Sequence, residues 1–155
     1  MQTLITLMKA KGITLSTCES FTGGLMASKI CAIDGASQIY LGSIVAYSIL
    51  AKTNIVHIDP QLIESYGTIS PQVVSQMAEK TRLLFNSDYA IAFSGNAGPS
   101  AQENKPVGLW FGAIATPHQI FGFSGLCNLN RNDLREAAVE TGCKNLIDII
   151  RNDRE

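Results

Sequence analysis

Apolar positions along the chain follow two periods, and each period predicts one kind of secondary structure. Apolar residues that recur three or four positions apart predict helices, whereas β-branched or continuously apolar runs predict strands. Glycines and Asp-Pro or Ser-Pro pairs lie between these segments and mark their ends. The predicted helices cover residues 2–11, 22–33, 50–56, 60–66, 71–85 and 132–150. The predicted strands cover residues 13–18, 39–47, 88–94, 107–116 and 119–123.

The order of these elements predicts the fold class. Strands alternate with helices over most of the chain, which is typical of α/β proteins with parallel strands. The last two strands are joined only by Pro117-His118, which predicts an antiparallel hairpin. We therefore expect an α/β fold, a three-layer α/β/α sandwich with a mixed, mostly parallel sheet of about five strands. The length of 155 residues predicts a single domain covering 1–155.

Composition and charge disfavour several classes of function. The 12 basic and 13 acidic residues give a net charge of −1, which favours neither nucleic acid nor an anionic membrane as a partner. No apolar run approaches the roughly 18 residues of a membrane span, and a signal peptide is not expected. The four cysteines are scattered and the two histidines stand alone, which predicts no metal site, reduced thiols and a cytoplasmic location.

The junction between the first strand and the next helix carries the first group of candidate residues. Glu19 lies at a strand end, where its carboxylate needs a partner, and Ser20 points off the strand tip. Thr22 is a candidate cap of the helix, and Gly23 and Gly24 expose backbone N–H groups in its first turn. Such N–H groups suit a phosphate or an oxyanion. The alternative interpretation is an ordinary capped helix after a strand.

Tyr47 and Lys52 form a second candidate group at the end of the second predicted strand. A desolvated lysine can have a pKa low enough to act as a base, and beside a serine and a tyrosine it could activate a hydroxyl nucleophile. The spacing is not the Y-x-x-x-K of short-chain dehydrogenases, and no G-x-G-x-x-G motif accompanies it. The alternative is an interfacial tyrosine followed by a surface lysine.

A Gly/Pro-rich loop follows the third predicted strand. Ser94 ends that strand, and Gly95 and Gly98 lie in the loop, where glycines allow a ligand to approach the backbone closely. Lys105 precedes the point where the chain re-enters the sheet. The loop matches neither a P-loop nor a dinucleotide-binding motif, and an ordinary turn is the alternative.

The start of the last helix carries two arginines. Arg131 and Arg135 are four residues apart, so on a helix they could share a face and grip a phosphate or carboxylate. Asn132 or Asp133 is the predicted cap of this helix. A solvated helix start is the commoner situation for such residues.

These stretches, taken in order, resemble the successive sequence blocks of the CinA C-terminal domain family, which includes the stand-alone nicotinamide-nucleotide amidases. The resemblance extends from about Thr14 to Arg151 and depends on the order and spacing of the blocks. The blocks are E-S-F-T-G-G, V-A-Y-S-x-x-x-K, Y-G-T-I-S-P-Q-V-V, S-G-N-A-G-P, K-P-V-G and N-R-N-D-L-R.

The resemblance implies an amidase acting in pyridine nucleotide salvage, which hydrolyses nicotinamide mononucleotide to nicotinate mononucleotide and ammonia. By resemblance, Ser20 is the nucleophile, and Tyr47 and Lys52 are its activating partners. The implied partner is a small-molecule mononucleotide, no cofactor or metal is implied, and a homo-oligomer remains open. The residues expected to contact substrate are Glu19, Thr22, Gly23, Gly24, Ser94, Gly95, Gly98, Lys105, Arg131 and Arg135.

Several positions depart from the family pattern, and four of them bear on whether the site is active. Phe21, Ile49, Asn96 and Leu109 replace residues that are usual in the corresponding blocks. Ile49 and Leu109 each remove a hydrogen-bonding group from the expected surroundings of the pocket, whereas Asn96 adds one. Because polar sites discriminate strongly against substrates that cannot reciprocate, a catalytically weak or inactive nucleotide-binding protein is the alternative function. A purely structural partner subunit is a third.

Overall fold

The computed structural model describes residues 1–153. The strands are β1 (Leu15–Glu19), β2 (Tyr40–Val45), β3 (Tyr89–Gly95), β4 (Leu109–Ala115) and β5 (Ile120–Leu126). The helices are α1 (Gln2–Lys11), α2 (Leu25–Cys31), α3 (Ile49–Asn54), α4 (Pro60–Tyr66), α5 (Pro71–Phe85) and α6 (Arg131–Asn152). Residues 154 and 155, which the predicted domain 1–155 includes, lie outside the described range.

Within residues 1–153 the strands form a five-stranded sheet in the order β2-β1-β3-β4-β5. Strand β1 pairs in parallel with β2 and β3, whereas β4 pairs antiparallel with both β3 and β5. Strand β4 therefore runs against the common direction of the others, which confirms the mixed, mostly parallel sheet. The predicted hairpin is present, although its strands begin at Leu109 and end at Leu126 rather than at 107 and 123.

Helices cover both faces of the sheet, which confirms the three-layer sandwich. On one face α1, α2 and α6 pack through large apolar side chains, among them Leu4, Met26 and Leu146. On the other face α5 packs against small side chains of the central strands, including Ala92 and Ala113. Because successive residues of a strand point to opposite faces, β3 is buried on both, as its apolar sequence predicted.

The helix predicted at 22–33 is shorter at both ends. It covers Leu25–Cys31, because Gly23 and Gly24 adopt φ angles of 57° and 91° and so belong to the preceding loop. These left-handed conformations favour glycine over any residue with a side chain. The loop between β1 and α2 is therefore longer than predicted.

The strand predicted at 39–47 ends two residues early, at Val45. Tyr47 consequently lies in the connection to α3 rather than on the strand. Ser48 begins α3 by accepting a hydrogen bond on its side chain from the Ala51 N–H, at 3.0 Å. This cap brings Lys52 to the fourth position of a short helix that starts beside the strand end.

Replacing Gly142 by alanine tests how closely α6 packs on the sheet. A Cβ atom at this position would lie 2.6 Å from Phe93 Cζ and 2.8 Å from Ile91 Cδ1, and both residues are fully buried. Alanine usually stabilises a helix relative to glycine by about 0.5–1 kcal/mol, so a loss here would report the steric contact. We expect Gly142→Ala to lower the free energy of unfolding by about 1–3 kcal/mol in urea denaturation.

The matched control is Lys144→Ala on the exposed side of the same helix, which should change stability by less than about 0.5 kcal/mol. Equal or greater stability of Gly142→Ala would contradict the close packing of α6 on β3.

Candidate active site

Ser20 lies directly after β1, at the carboxyl end of the parallel part of the sheet. Its backbone N–H donates to the Phe93 carbonyl at 3.0 Å, which extends the pairing of β1 and β3 by one residue. The serine is 9% exposed. Open α/β sheets bind ligands at this edge, so the hydroxyl is placed where a ligand can reach it.

The amine of Lys52 is the nearest basic group to this hydroxyl. Lys52 Nζ lies 2.9 Å from Ser20 Oγ and 2.7 Å from the Ala46 carbonyl oxygen, and donates to both. The residue is only 2% exposed, so the sequence-based alternative of a surface lysine is wrong. The fold therefore brings together a hydroxyl and an amine that are 32 residues apart in the chain.

Burial lowers the pKa of the Lys52 amine below its ordinary value, because the charged form loses hydration. The Glu103 carboxylate acts in the opposite direction and favours the ammonium form, and Cys18 would do so only as a thiolate. Burial raises the pKa of the Cys18 thiol to about 12, so this cysteine stays protonated and is a poor nucleophile. Ser20 therefore has a neighbour whose amine is neutral, and so free to accept a proton, at lower pH than that of an exposed lysine.

Glu19 holds the start of α2 and faces away from this pair. Its carboxylate accepts hydrogen bonds from the N–H groups of Gly24 and Met26, each at 3.1 Å, and of Ala27 at 2.8 Å. The Gly23 N–H donates to the Ser20 carbonyl at 3.0 Å. The expectation that Gly23 and Gly24 offer free N–H groups to an anion is therefore wrong, because protein oxygens already occupy them.

The prediction that Thr22 caps α2 is wrong, because the Glu19 carboxylate accepts the hydrogen bonds from the start of that helix. The N-cap position belongs to Gly24, and the Thr22 hydroxyl is buried with no hydrogen-bond partner among residues 1–153. Its carbonyl oxygen instead accepts from Arg135, at 3.2 Å from Nε and 2.7 Å from Nη2. Arg135 thus ties the loop after Ser20 to α6.

Arg131 and Arg135 do not grip one common group. Arg131 Nη1 donates to the Gly98 carbonyl at 2.7 Å, and Nη2 donates to the Tyr47 hydroxyl at 2.8 Å. Asn130 caps α6 by accepting from the Asp133 N–H at 3.0 Å, so the predicted caps at 132 and 133 are wrong. Arg131 alone of the two lines the cavity described below.

Tyr47 is 59% exposed and lines the same cavity as Ser20 and Lys52. Its hydroxyl is held by Arg131 rather than by either member of the hydroxyl–amine pair. The phenol therefore belongs to the mouth of the cavity in this structure. The activating role that resemblance gives to Tyr47 requires it to turn away from Arg131.

The end of β3 and the loop that follows it form another wall. The Ser94 hydroxyl donates to the Thr68 carbonyl at 2.6 Å, and Gly95 leaves room for Trp110, whose Cβ would lie 2.6 Å from an added Cβ. Asn96 is buried and bonds within the loop, donating to the Lys105 carbonyl at 3.2 Å and accepting from the Gly98 N–H at 3.1 Å. Asn96 therefore shapes the loop itself.

Lys105 is not a cavity residue, although the sequence suggested a substrate contact. Its amine donates to the carbonyl oxygens of Tyr66 at 2.8 Å and Ile69 at 2.5 Å, and lies 3.3 Å from Glu103 Oε2. Glu103 and Thr68 both line the cavity, although neither is among the site residues predicted from the sequence. Gly67, which directly follows the helix predicted at 60–66, leaves room for this carboxylate, since a Cβ atom there would lie 2.3 Å from Glu103 Oε2.

The cavity has a volume of about 270 Å³ and is open to solvent. Its lining includes Ser20, Lys52, Ser94, Glu103 and Arg131, together with Ile49 and Phe21. Leu109, which departs from the family pattern, lies on β4 outside this lining. A larger depression of about 560 Å³ lies among α1, α2 and α6, at the ends of α2 and α6 that are remote from Ser20.

No group of three His, Cys, Asp or Glu side chains within residues 1–153 is arranged to hold a metal ion. No helix in the same range is both long and apolar enough to span a lipid bilayer.

The model of the CinA C-terminal domain family matches residues 1–150. This chain belongs to the CinA C-terminal domain family. A CinA-like protein of Pseudothermotoga lettingae is 45% identical over 115 residues, which is 74% of this chain and 28% of that protein. A CinA-like protein of Petrotoga mobilis is 32% identical over 151 residues, or 96% of this chain and 37% of that protein. The CinA-family chain therefore spans about a third of the length of these curated relatives.

Solved CinA-type structures share the fold. The competence damage-inducible protein A of Klebsiella pneumoniae superposes with a TM-score of 0.96 at 25% identity, covering 99% of this chain and 96% of that one. The competence or damage-inducible protein of Enterobacter asburiae gives a TM-score of 0.93 at 27% identity, covering 96% and 94%. The α/β/α arrangement is thus that of the CinA family.

The buried amine of this CinA-type domain should make its stability depend on pH. The folded-state pKa of Lys52 is lowered, so between that value and the ordinary 10.5 the unfolded chain binds one proton more than the folded chain. Stability contributed at this site therefore rises as pH increases through that window and falls as pH decreases. We expect the free energy of unfolding of the wild type, relative to Lys52→Met, to increase between neutral pH and pH 10.5.

Urea denaturation across the pH range measures this difference, and Lys144→Met, at an exposed position, is the control that should show no such trend. A flat difference between wild type and Lys52→Met would show that the amine keeps its ordinary pKa.

Proposed function

We propose that this chain is an amidohydrolase of the nicotinamide-nucleotide amidase type, which converts nicotinamide mononucleotide to nicotinate mononucleotide and ammonia in pyridine nucleotide salvage. The observation that carries the proposal is the 2.9 Å hydrogen bond between Lys52 Nζ and Ser20 Oγ at the wall of a cavity. The sequence blocks shared with the amidases of the family support the choice of substrate.

The proposed chemistry begins with a neutral Lys52. The amine takes the proton of Ser20 as the serine oxygen attacks the carboxamide carbon, and the carbonyl π electrons move onto oxygen. The tetrahedral intermediate then breaks its C–N bond, and the Lys52 ammonium gives its proton to the departing ammonia. Lys52 then takes a proton from water as the water oxygen attacks the resulting ester, and the Lys52 ammonium returns that proton to the Ser20 oxygen when the ester C–O bond breaks. The lowered pKa of Lys52 supports its use as the base.

The oxyanion needs a donor other than the start of α2, since Glu19 occupies that helix end. We assign this role to the backbone N–H of Phe21, which follows the nucleophile and belongs to a residue of the cavity lining. Among residues 1–153 this N–H has no protein acceptor, so a substrate oxygen could take it. Fixed backbone donors at a developing oxyanion are among the largest contributions to acyl-transfer catalysis.

Arg131 is the cation that we assign to the substrate phosphate. It lies at the cavity mouth, where its guanidinium already bridges the Gly98 carbonyl and the Tyr47 hydroxyl. Arginine pairs with phosphate through two parallel N–H donors, so binding would draw it partly from these contacts. Release of the Tyr47 hydroxyl in the same step would free the phenol to contact substrate.

A catalytically weak nucleotide-binding protein remains the second candidate, because Ile49 places an apolar side chain in the cavity lining. A substrate group that needs a polar partner at this position would bind and turn over poorly. Ammonia release separates the two functions, since both predict binding of the mononucleotide. Thermal stabilisation by nicotinamide mononucleotide without ammonia release would favour this second function.

Substitution of the hydroxyl–amine pair tests the hydrolysis. We expect Ser20→Ala and Lys52→Met to reduce ammonia release from nicotinamide mononucleotide by about 10³-fold or more, because each removes a group that makes or breaks a bond. Lys52→Arg should not restore activity, since arginine stays protonated at neutral pH.

The controls are Ser65→Ala and Lys144→Arg, which alter exposed residues of the same types and should retain wild-type rates. Circular dichroism would verify that each variant is folded. Wild-type turnover by Ser20→Ala would exclude serine as the nucleophile, and wild-type turnover by Lys52→Arg would exclude lysine as the base.

A further inference from the structure

Two chain segments meet at the carboxylate of Glu103. One is the connection between α4 and α5, and the other is the loop between β3 and β4. Glu103 Oε1 accepts from the Thr68 N–H at 2.8 Å and from the Thr68 hydroxyl at 2.5 Å. Glu103 Oε2 accepts from the Ile69 N–H at 3.1 Å. One carboxylate thus takes three donors from a segment 34 or 35 residues away in the chain.

Lys105 adds a second attachment between the same two segments. Its amine donates to the carbonyl oxygens of Tyr66 at 2.8 Å and Ile69 at 2.5 Å, while lying 3.3 Å from Glu103 Oε2. The carboxylate satisfies backbone donors and the ammonium satisfies backbone acceptors of one short stretch. We call this group of contacts, made by Glu103 and Lys105 with residues 66–69, the Glu103 latch.

The backbone is shaped to accommodate the Glu103 latch. Gly67 has a φ of 75°, and a Cβ atom there would lie 2.3 Å from Glu103 Oε2 and 2.9 Å from Lys105 Nζ. Glu103 and Asn104 adopt φ angles of 54° and 56°, which residues with side chains rarely do. These two residues are the centre of a tight turn, which the Lys105 N–H closes by donating to the Gln102 carbonyl at 2.8 Å, and the side chains on the turn form the latch.

The latch is part of the candidate active site. Thr68, Ile69 and Glu103 line the same cavity as Ser20 and Lys52. The Glu103 side chain is 29% exposed, so its charge is partly hydrated. Its position therefore affects both the shape of the cavity and the electrostatic environment of the amine.

We propose that Glu103 is a positioning residue for the hydrolysis proposed above: its carboxylate fastens the β3–β4 loop to residues 66–69 and places a negative charge in the wall of the cavity that Lys52 also lines. The kinetic part of this inference rests on the proposed function. The structural and electrostatic parts stand on the contacts of Glu103 and can be measured without turnover.

The charged and titratable groups around Lys52 support the electrostatic part. Cys18, from β1, is neutral because burial raises its pKa to about 12, and the Glu19 carboxylate is held by the N–H groups of α2. Arg131, on α6, lines the same cavity. Glu103 is thus the carboxylate whose charge raises the pKa of Lys52 against the lowering effect of burial.

Glu103 itself remains ionised under ordinary conditions. Burial raises the pKa of its carboxyl, but the hydrogen bonds from Thr68 and Ile69 and the neighbouring Lys105 amine outweigh burial, so the pKa is lowered overall. At neutral pH the latch and the charge are therefore both present. A change at Glu103 that removes the charge should let Lys52 lose its proton at lower pH.

The experiment compares Glu103→Gln with Lys105→Met. The glutamine oxygen can still accept hydrogen bonds from Thr68. Its NH2 group, however, is a donor placed against two other donors, the Ile69 N–H and the Lys105 amine, and the negative charge is removed. Lys105→Met weakens the same latch and leaves the carboxylate charged. In Glu103→Gln we expect the acid limb of kcat/KM for nicotinamide mononucleotide to move to lower pH by about half a unit or more. In Lys105→Met the acid limb of kcat/KM should stay at the same pH or move to higher pH.

Two measurements on the ligand-free protein make the result independent of turnover. NMR titration of the Lys52 side chain should show the same downward shift in Glu103→Gln and no downward shift in Lys105→Met. Amide hydrogen exchange at Thr68 and Ile69 should be faster in both variants, because both loosen the latch.

An unchanged Lys52 titration in Glu103→Gln, or a downward shift in Lys105→Met, would overturn the electrostatic role. Unchanged exchange at Thr68 and Ile69 in both variants would overturn the latch. If Glu103→Gln does not fold, Lys105→Met still tests the latch, and a downward shift of the Lys52 titration in that variant would still overturn the electrostatic role. If the wild type releases no ammonia while titration and exchange behave as expected, the amidase function fails and the inference about Glu103 stands in its structural and electrostatic parts.

Discussion

The candidate site depends on a hydrogen bond between a buried amine and a buried hydroxyl. Lys52 Nζ contacts only oxygens of Ser20 and Ala46 among the hydrogen-bond acceptors of residues 1–153. No carboxylate compensates the amine by direct contact in that range, so its charged form is costly and its pKa is lowered. The two hydrogen bonds of Lys52, to Ser20 and to Ala46, also hold α3 against the ends of β1 and β2.

The loop that carries the hydroxyl is held by contacts that need no ligand. Glu19 fixes the start of α2, and Arg135 fixes the Thr22 carbonyl from α6. The Ser20 carbonyl accepts from Gly23 within the loop. A side chain held in this way loses little freedom when a substrate binds, which is the arrangement that preorganised sites require. The mouth differs, because Tyr47 and Arg131 are exposed and hold each other.

The sequence predicted most of the fold because its signals were local. Apolar periodicity located the helices and strands, and Ser70-Pro71 placed the start of α5 at the observed residue. Predicted helix boundaries were wrong where the sequence of a loop resembled the start of a helix, as at 22–33. Only the φ angles of Gly23 and Gly24 show that the helix starts later. Local spacing cannot reveal such conformations.

The sequence predicted some of the residues that form the candidate site, but not which atoms each of them contacts. Family resemblance marked Ser20, Tyr47 and Lys52, but Arg135 and Lys105 resembled ligand contacts while the structure uses them on protein carbonyls. Glu103 escaped notice because its partners lie 34 and 35 residues away, and no periodicity connects them. The occupation of α2 by Glu19 has a further consequence. Because Glu19 already neutralises the start of that helix, the attraction of an anion to the cavity depends on Arg131, which is exposed to solvent. Dissolved ions screen an exposed charge, so the phosphate binding proposed for Arg131 should weaken as ionic strength rises.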